Sequence, residues 1–254
     1  SFSPSGHEGT VIIDGESSRS AGIYINGKAY IRINGLSGSD YRLLVRNHVT
    51  DTTGSVDINN ASYVYADHIK IDIATDRGVF LDNAEHSRVR GCDIRTGLVS
   101  NAAETDGIYI QYGNDNLVED NVVVIGNSGT SHNDALQAAN GENRLIVRNN
   151  WLEWTNGRGN SNSQGFIIED SSDWVYFYNN VVLGTSENPY QAALFKEADP
   201  GGIYYIWNNT IIAQHPKGVA LNLLYCTDEE IGEIKNNIII SPGHYAIYSE
   251  AAPT

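Results

Sequence analysis

Basic residues are scarce in this chain: eleven Arg and five Lys stand against 31 Asp and Glu, a formal net charge of −15. So acidic a protein lacks the cationic face that displaces counterions from nucleic acid or from an anionic leaflet, which excludes both as sequence-independent partners. No apolar run approaches the roughly 20 residues of a membrane span. Methionine is absent altogether. The opening Ser-Phe-Ser-Pro-Ser-Gly has neither a basic nor an apolar leader region, which fits a processed, secreted chain. Two cysteines are too few for a disulfide scaffold. Proline is rare, at 6 residues, whereas Gly (25) and Asn (27) are abundant. With 41% hydrophobic and 19% charged residues, the composition is that of a globular strand-and-turn protein, expected as one domain over residues 1–254.

What is present is periodic. Asn149-Asn150, Asn179-Asn180, Asn208-Asn209 and Asn236-Asn237 recur every 28 to 30 residues, with Asp120-Asn121 in register upstream and Gly91-Cys92 as a degenerate copy. Each pair precedes a short strand, such as Val122-Val123-Val124-Ile125 or Ile238-Ile239-Ile240. About 15 to 19 residues earlier stands a second strand that starts with a small residue: Gly78, Gly107, Ala135, Gly165, Ala193 or Gly218. A third lies between, as in Arg144-Leu145-Ile146-Val147.

Three short strands per repeat without a 3.6-residue period describe one coil of a solenoid. Asn at one bend tolerates the left-handed backbone region, and its amide can bond to coils ~4.8 Å above and below. The prediction is an all-β right-handed parallel β-helix of about eight or nine coils, with three parallel sheets and an asparagine ladder.

This register has consequences for reactive groups. Cys92 and Cys226 fall about five coils apart, roughly 24 Å, beyond the ~7 Å reach of a disulfide, and are expected as buried free thiols. The Asn208-Asn209-Thr210 sequon falls inside the ladder and is discounted as a glycosylation site. No helix is foreseen to cap the stack, so a loop, a partner chain or end-to-end contacts must cover the coil ends, unless the chain is a piece of a longer one.

Alternate residues of the strand that starts small point outward and line up between coils. The inward set reads Val79, Ile108, Leu136, Phe166, Leu194 and Val219. The first outward stripe is then Phe80, Tyr109, Gln137, Ile167, Phe195 and Ala220; the second is Asp82, Gln111, Ala139, Glu169, Glu197 and Asn222. Aromatic faces beside acids and amides suit a polysaccharide, with Tyr109, Gln111, Gln137 and Phe195 as substrate-binding candidates. Just before the small residue, Asp106 and Asp134 take matching places on adjacent coils, with His132 two residues from Asp134. Neighbouring carboxylates drive their proton affinities apart, so one site can supply both an acid and a base. These three are the catalytic candidates, next to the irregular loop Gly126-Asn127-Ser128-Gly129-Thr130.

On this repeat the chain resembles the right-handed parallel β-helix superfamily of pectate lyases, polygalacturonases, alginate-acting lyases and epimerases, and phage tailspikes. Thr105-Asp106-Gly107 is similar to the Asn-Thr-Asp-Gly motif of polygalacturonase-like glycoside hydrolases, with Glu104 in place of Asn. Asn133-Asp134-Ala135 resembles their Asp-Asp-Cys, with Asn133 at the place of the general acid. Gln164-Gly165 stands where His-Gly is expected, and Leu194-Phe195-Lys196 keeps the Lys of Arg-Ile-Lys. The resemblance implies cleavage of a polysaccharide, with Lys196 among the substrate-binding residues.

Two other readings share the fold. A uronate lyase or epimerase would use His132 or Tyr109 as base, with Lys196, Arg158 or a calcium ion neutralising the carboxylate. Glu169 and Glu197, expected on adjacent coils, are the candidate calcium ligands. A glycan-binding, tailspike or fibre-forming β-helix would need no catalytic group.

Overall fold

The computed structural model describes residues 10–37, 40–48, 53–73, 77–96, 105–127, 133–156, 164–169, 172–184, 192–195, 202–216, 218–223, 226, 230–243 and 245–249. Each coil contributes one strand to each of three parallel sheets, as in Asp106–Gln111, Leu117–Glu119 and Val122–Asn127. Among the described residues the first and third sheets have nine strands and the second has eight. The first sheet runs from Ile23–Asn26 to Tyr245–Tyr248, and every pairing within these three sheets joins strands one coil apart. A two-stranded antiparallel piece, Leu36–Ser37 with Asp40–Tyr41, interrupts an early coil.

The core is a column of aliphatic side chains from all three sheets. Val79, Ile108, Leu136 and Phe166 stack in register, as do Leu81, Ile110, Ala138 and Ile168, and all are buried. Phe166 also stacks on Phe177 of the second sheet, ring centroids 4.8 Å apart. The small residues at the strand starts have a steric cause. A Cβ on Gly107 would collide with Val123 Cγ1, and one on Gly165 with Val182 Cγ1, because the first and third sheets meet at that corner.

The corner column also corrects the expected register. Ala192, not Ala193, occupies it: the Gly165 N–H donates to its carbonyl at 2.8 Å. Phe166 therefore pairs with Ala193, Ile167 with Leu194 and Ile168 with Phe195, which shifts the expected register by one residue. One coil on, Ala193 pairs with Leu221, so Ala220 takes the corner expected for Gly218, and Asn222 joins Leu194. Two adjacent alanines offered two equally small corner residues, and backbone pairing selected the first.

The paired asparagines divide their labour. The first of each pair adopts positive φ: Asp120 58°, Asn149 57°, Asn179 57°, Asn208 54° and Asn236 55°. The second forms the ladder. The Asn121 N–H donates to Asn150 Oδ1 at 3.0 Å, that of Asn150 to Asn180 at 3.0 Å, and that of Asn180 to Asn209 at 2.9 Å. Each side-chain amide also donates to a carbonyl across the bend, as Asn150 Nδ2 does to Val118 at 3.0 Å. Cys92 begins the series, its N–H donating to Asn121 Oδ1. Buried backbone donors at the bend are thereby satisfied without water. Cys92 and Cys226 are buried free thiols. At the last described coil Ile247, in register with Leu221, is 47% exposed.

Candidate functional site

The outer face of the first sheet carries a cleft of about 520 Å³ over its first four strands. Ser20, Ala21 and Thr53 form one wall, and Tyr24, Asp57, Asn59, Arg77, Phe80, Asp82 and Gln111 complete the lining. Alternation puts these side chains outward in two columns. Tyr24, Asp57, Phe80 and Tyr109 are in register, and beside them Asn26, Asn59, Asp82 and Gln111.

Hydrogen bonds along the second column hold its groups in place. Asn59 Nδ2 donates to Asp82 Oδ2 at 3.0 Å, Gln111 Nε2 to Asp82 Oδ1 at 2.9 Å, and Asn140 Nδ2 to Gln111 Oε1 at 3.1 Å. The Asp82 carboxylate is thus gripped by an amide on each side. In the first column the Arg77 guanidinium lies over the Phe80 ring at 4.6 Å and over the Tyr109 ring at 4.2 Å, both within cation–π range. Those rings meet edge to face with centroids 5.5 Å apart. Behind Arg77, its Nε is 3.9 Å from Asp106 Oδ2. The cleft therefore joins two carboxyl groups, a guanidinium fixed from below by two rings, amides, and Tyr24, which is 59% exposed.

Asp106 and Asp134 do come together on adjacent coils, but their side chains face the backbone. The Asp134 N–H donates to Asp106 Oδ1 at 3.0 Å, and the Gln164 N–H to Asp134 Oδ1 at 2.6 Å. Asp134 is 0% exposed. The Thr105 N–H donates to Asn133 Oδ1 in the same manner. This is a second set of side-chain-to-backbone rungs, built from Asp106, Asp134 and Asn133, at the corner between the first and third sheets. Neither aspartate lines the cleft; Asp106 reaches it only through Arg77.

The other expected residues are distributed as follows. Gln111 lines the cleft. Tyr109 is buried beneath Arg77 rather than open to a ligand, which corrects its assignment as a contact residue. Gln137 is buried and donates to Glu169 Oε2 at 2.9 Å. His132, Lys196, Glu197 and Arg158 lie outside the described residues. Among the described residues, no group of three or more His, Cys, Asp or Glu converges as a metal site, for calcium or any other ion. The outward stripe that starts at Phe80 leaves out Asp57 one coil upstream, and Arg77 lies off that stripe, in register with Asp106. Extended two coils upstream, the same column reaches Asp57 and Tyr24.

The profile of the right handed beta helix region matches residues 8–182, most of the chain. The chain belongs to the right-handed β-helix family. No curated protein matches this β-helix chain in sequence. Among solved structures it is similar to the catalytic domain of a GH87 alpha-1,3-glucanase, determined in complex with tetrasaccharides. Identity is 15% and the TM-score 0.28, over 96% of this chain and 61% of that one, so the β-helix chain spans less than two thirds of that structure. No helix among the described residues is long and apolar enough to cross a membrane.

Proposed function

We propose that this β-helix protein binds a polysaccharide along its first sheet and hydrolyses it in the cleft, with Asp57 and Asp82 as the carboxyl pair. One observation carries the reading: two carboxyl groups, a guanidinium and an exposed ring converge in a single cleft. The amide and carboxylate column runs over three coils, from Asn59 through Asp82 to Gln111, and Asn140 of the next coil donates to Gln111. An extended sugar chain lying along the solenoid would cross these three coils and meet an amide or a carboxylate on each, whereas a compact ligand would use only one.

In this reading Asp82, which accepts an amide N–H on each oxygen, is the carboxylate, and the more enclosed Asp57 is the acid. Asp57 gives its proton to the glycosidic oxygen as the carbon–oxygen bond breaks. A water oxygen joins the anomeric carbon and its proton passes to Asp82. Arg77 and Gln111 hold sugar hydroxyls, and Tyr24 offers a ring face for stacking. A polymer of this kind is met outside the cell, where we place the protein.

The test is a panel of neutral and acidic polysaccharides, with and without calcium, scored for reducing ends and for ultraviolet absorbance in the same wells. Reducing ends without absorbance, lost by at least a hundredfold in Asp57→Asn and Asp82→Asn, support the assignment. Absorbance rising with the reducing ends would replace hydrolysis by elimination. Turnover that survives Asp82→Asn but disappears in folded Asp134→Asn or His132→Ala would move the site away from the cleft. Saccharide binding without turnover would leave the glycan-binding reading in its place.

A further inference from the structure

Away from the cleft, the outer face of the second sheet gathers positive charge. Arg32, Arg88 and Arg90 all converge on one carboxylate, Asp67. Arg32 Nε lies 2.9 Å from Asp67 Oδ2, Arg88 Nη2 2.8 Å from Oδ2 with its Nε 3.1 Å from Oδ1, and Arg90 Nη2 3.3 Å from Oδ2. Register explains the meeting. Arg32, Tyr65 and Arg88 form one outward column, and Asn34, Asp67, Arg90 and Glu119 the next. Asp67 points away from the core, yet it is fully buried because three guanidinium groups cover it.

The charges there do not balance. Three cations surround one anion, and Glu119, the next acid along the column, is taken by Arg148 Nε at 2.9 Å and Nη2 at 2.6 Å. A local excess of two positive charges thus persists in a protein whose formal net charge is −15. Donors are in surplus as well. The three guanidiniums offer roughly fifteen N–H groups, about five each, of which Asp67 accepts only a few. Arg90 Nε is enclosed with no acceptor. Arg88 is held from one side by the Tyr65 ring, 4.7 Å from its guanidinium carbon, while the Arg32 side chain stays 50% exposed and leaves an approach from solvent.

We propose that Arg32, Arg88 and Arg90 form a binding site for a small tetrahedral dianion, a sulfate or phosphate group. A dianion matches the excess charge, and its oxygens suit forked guanidinium donors. Asp67 is then the pillar that presets the three arginines before the ligand arrives, which lowers the ordering cost of binding. The net charge of −15 disfavours a polyanion that would extend past the three arginines, so the site takes a single group, either a free ion or one ester on a sugar. The proposal is independent of the cleft assignment.

The experiment is calorimetric titration of the intact protein with sodium sulfate and with sodium phosphate, against sodium chloride at matched ionic strength. A monosaccharide sulfate and its unsulfated parent separate an ester-borne group from a free ion. Arg32→Gln is the test variant, because Arg88 and Arg90 continue to neutralise Asp67 and preserve the fold. Arg144→Gln, just before a strand of the same sheet, which removes the guanidinium paired with Asp115, is the control. Saturable binding of sulfate or phosphate, weakened at least fivefold by Arg32→Gln and unchanged by Arg144→Gln, is expected. Oxyanions no more effective than chloride, or equal losses in both variants, would overturn the site. A monosaccharide sulfate that binds more tightly than free sulfate, with the parent sugar silent, assigns the ligand to an ester; the reverse order assigns it to the free ion.

Discussion

Arg77 and Asp106 are partners across adjacent coils: Nε stands 3.9 Å from Asp106 Oδ2, while the other carboxylate oxygen accepts the Asp134 N–H at 3.0 Å. One side chain thus closes a buried backbone bond and steadies the guanidinium that lines the cleft. The two duties separate by substitution. Asp106→Asn keeps an acceptor for Asp134 and loses the charge opposite Arg77, so thermal stability should change little while KM rises several-fold with a smaller effect on kcat. Asp106→Ala removes the acceptor too and should cost about 1–3 kcal/mol in denaturant unfolding. Equal destabilisation by both substitutions would show that the backbone bond is not what Asp106 contributes.

Glu142 gives the fold a pH dependence of its own. Burial pushes its carboxyl up from 4.5 to about 8, against the hydrogen bond that Asn116 Nδ2 donates to Oε1 at 3.0 Å. Between those values the native protein holds a proton that the unfolded chain releases. Stability from this group is therefore full below pH 4.5, falls as pH rises through the window, and levels off above about 8. Glu142→Gln, which cannot ionise, should unfold at a higher temperature than the parent at pH 8, with the gap closing toward pH 4.5. Parallel melting-temperature profiles for the two proteins would refute this.

The two members of an asparagine pair should respond oppositely to the same kind of change. Asn149 sits at φ 57°, a conformation that glycine adopts freely, so Asn149→Gly should alter stability by no more than ~0.5 kcal/mol, whereas a β-branched Asn149→Val should cost about 1–2. Asn150 accepts the Asn121 N–H at 3.0 Å and donates to Val118 and Asn180. Asn150→Ala strands buried donors and acceptors and should cost at least ~2 kcal/mol in urea unfolding.

Cys92 should be chemically silent in the native protein. Burial pushes its thiol up to about 12, and the sulfur lies among the carbonyls of Ala66 and Arg90 at 3.6 and 3.5 Å. Iodoacetamide labelling at pH 8, followed by peptide mass mapping, should find it unmodified until denaturant is added. Rapid native labelling would mean that this coil opens readily.

Part of the candidate site was legible and part was not, and the line runs between backbone and side chain. The column that joins Tyr109, Gln137 and Ile167 follows from strand alternation, and the structure pairs these residues as that rule requires. Alternation does not say what covers a column. Tyr109 faces outward yet is sealed by Arg77, a residue of the preceding coil whose reach no periodicity encodes. Asp106 and Asp134 were placed on adjacent coils correctly. The carboxylates then turned to backbone N–H groups because the tight corner left those donors without any other acceptor.

The amino-acid sequence by itself determined the solenoid. A repeat of 28 to 30 residues with asparagine at one bend and a small residue at another leaves few ways to satisfy buried bend donors and bring sheets into contact, and stacking coils is the one it adopts. Tertiary structure alone decided the chemistry of its faces. Whether an acid on a coil becomes a ladder rung like Asp134, a pillar under arginines like Asp67, or a cleft wall like Asp82 depends on groups 20 to 35 residues away in sequence and one coil away in space. Local composition fixes the backbone path, but the long side chains of neighbouring coils choose their partners only after that path has closed.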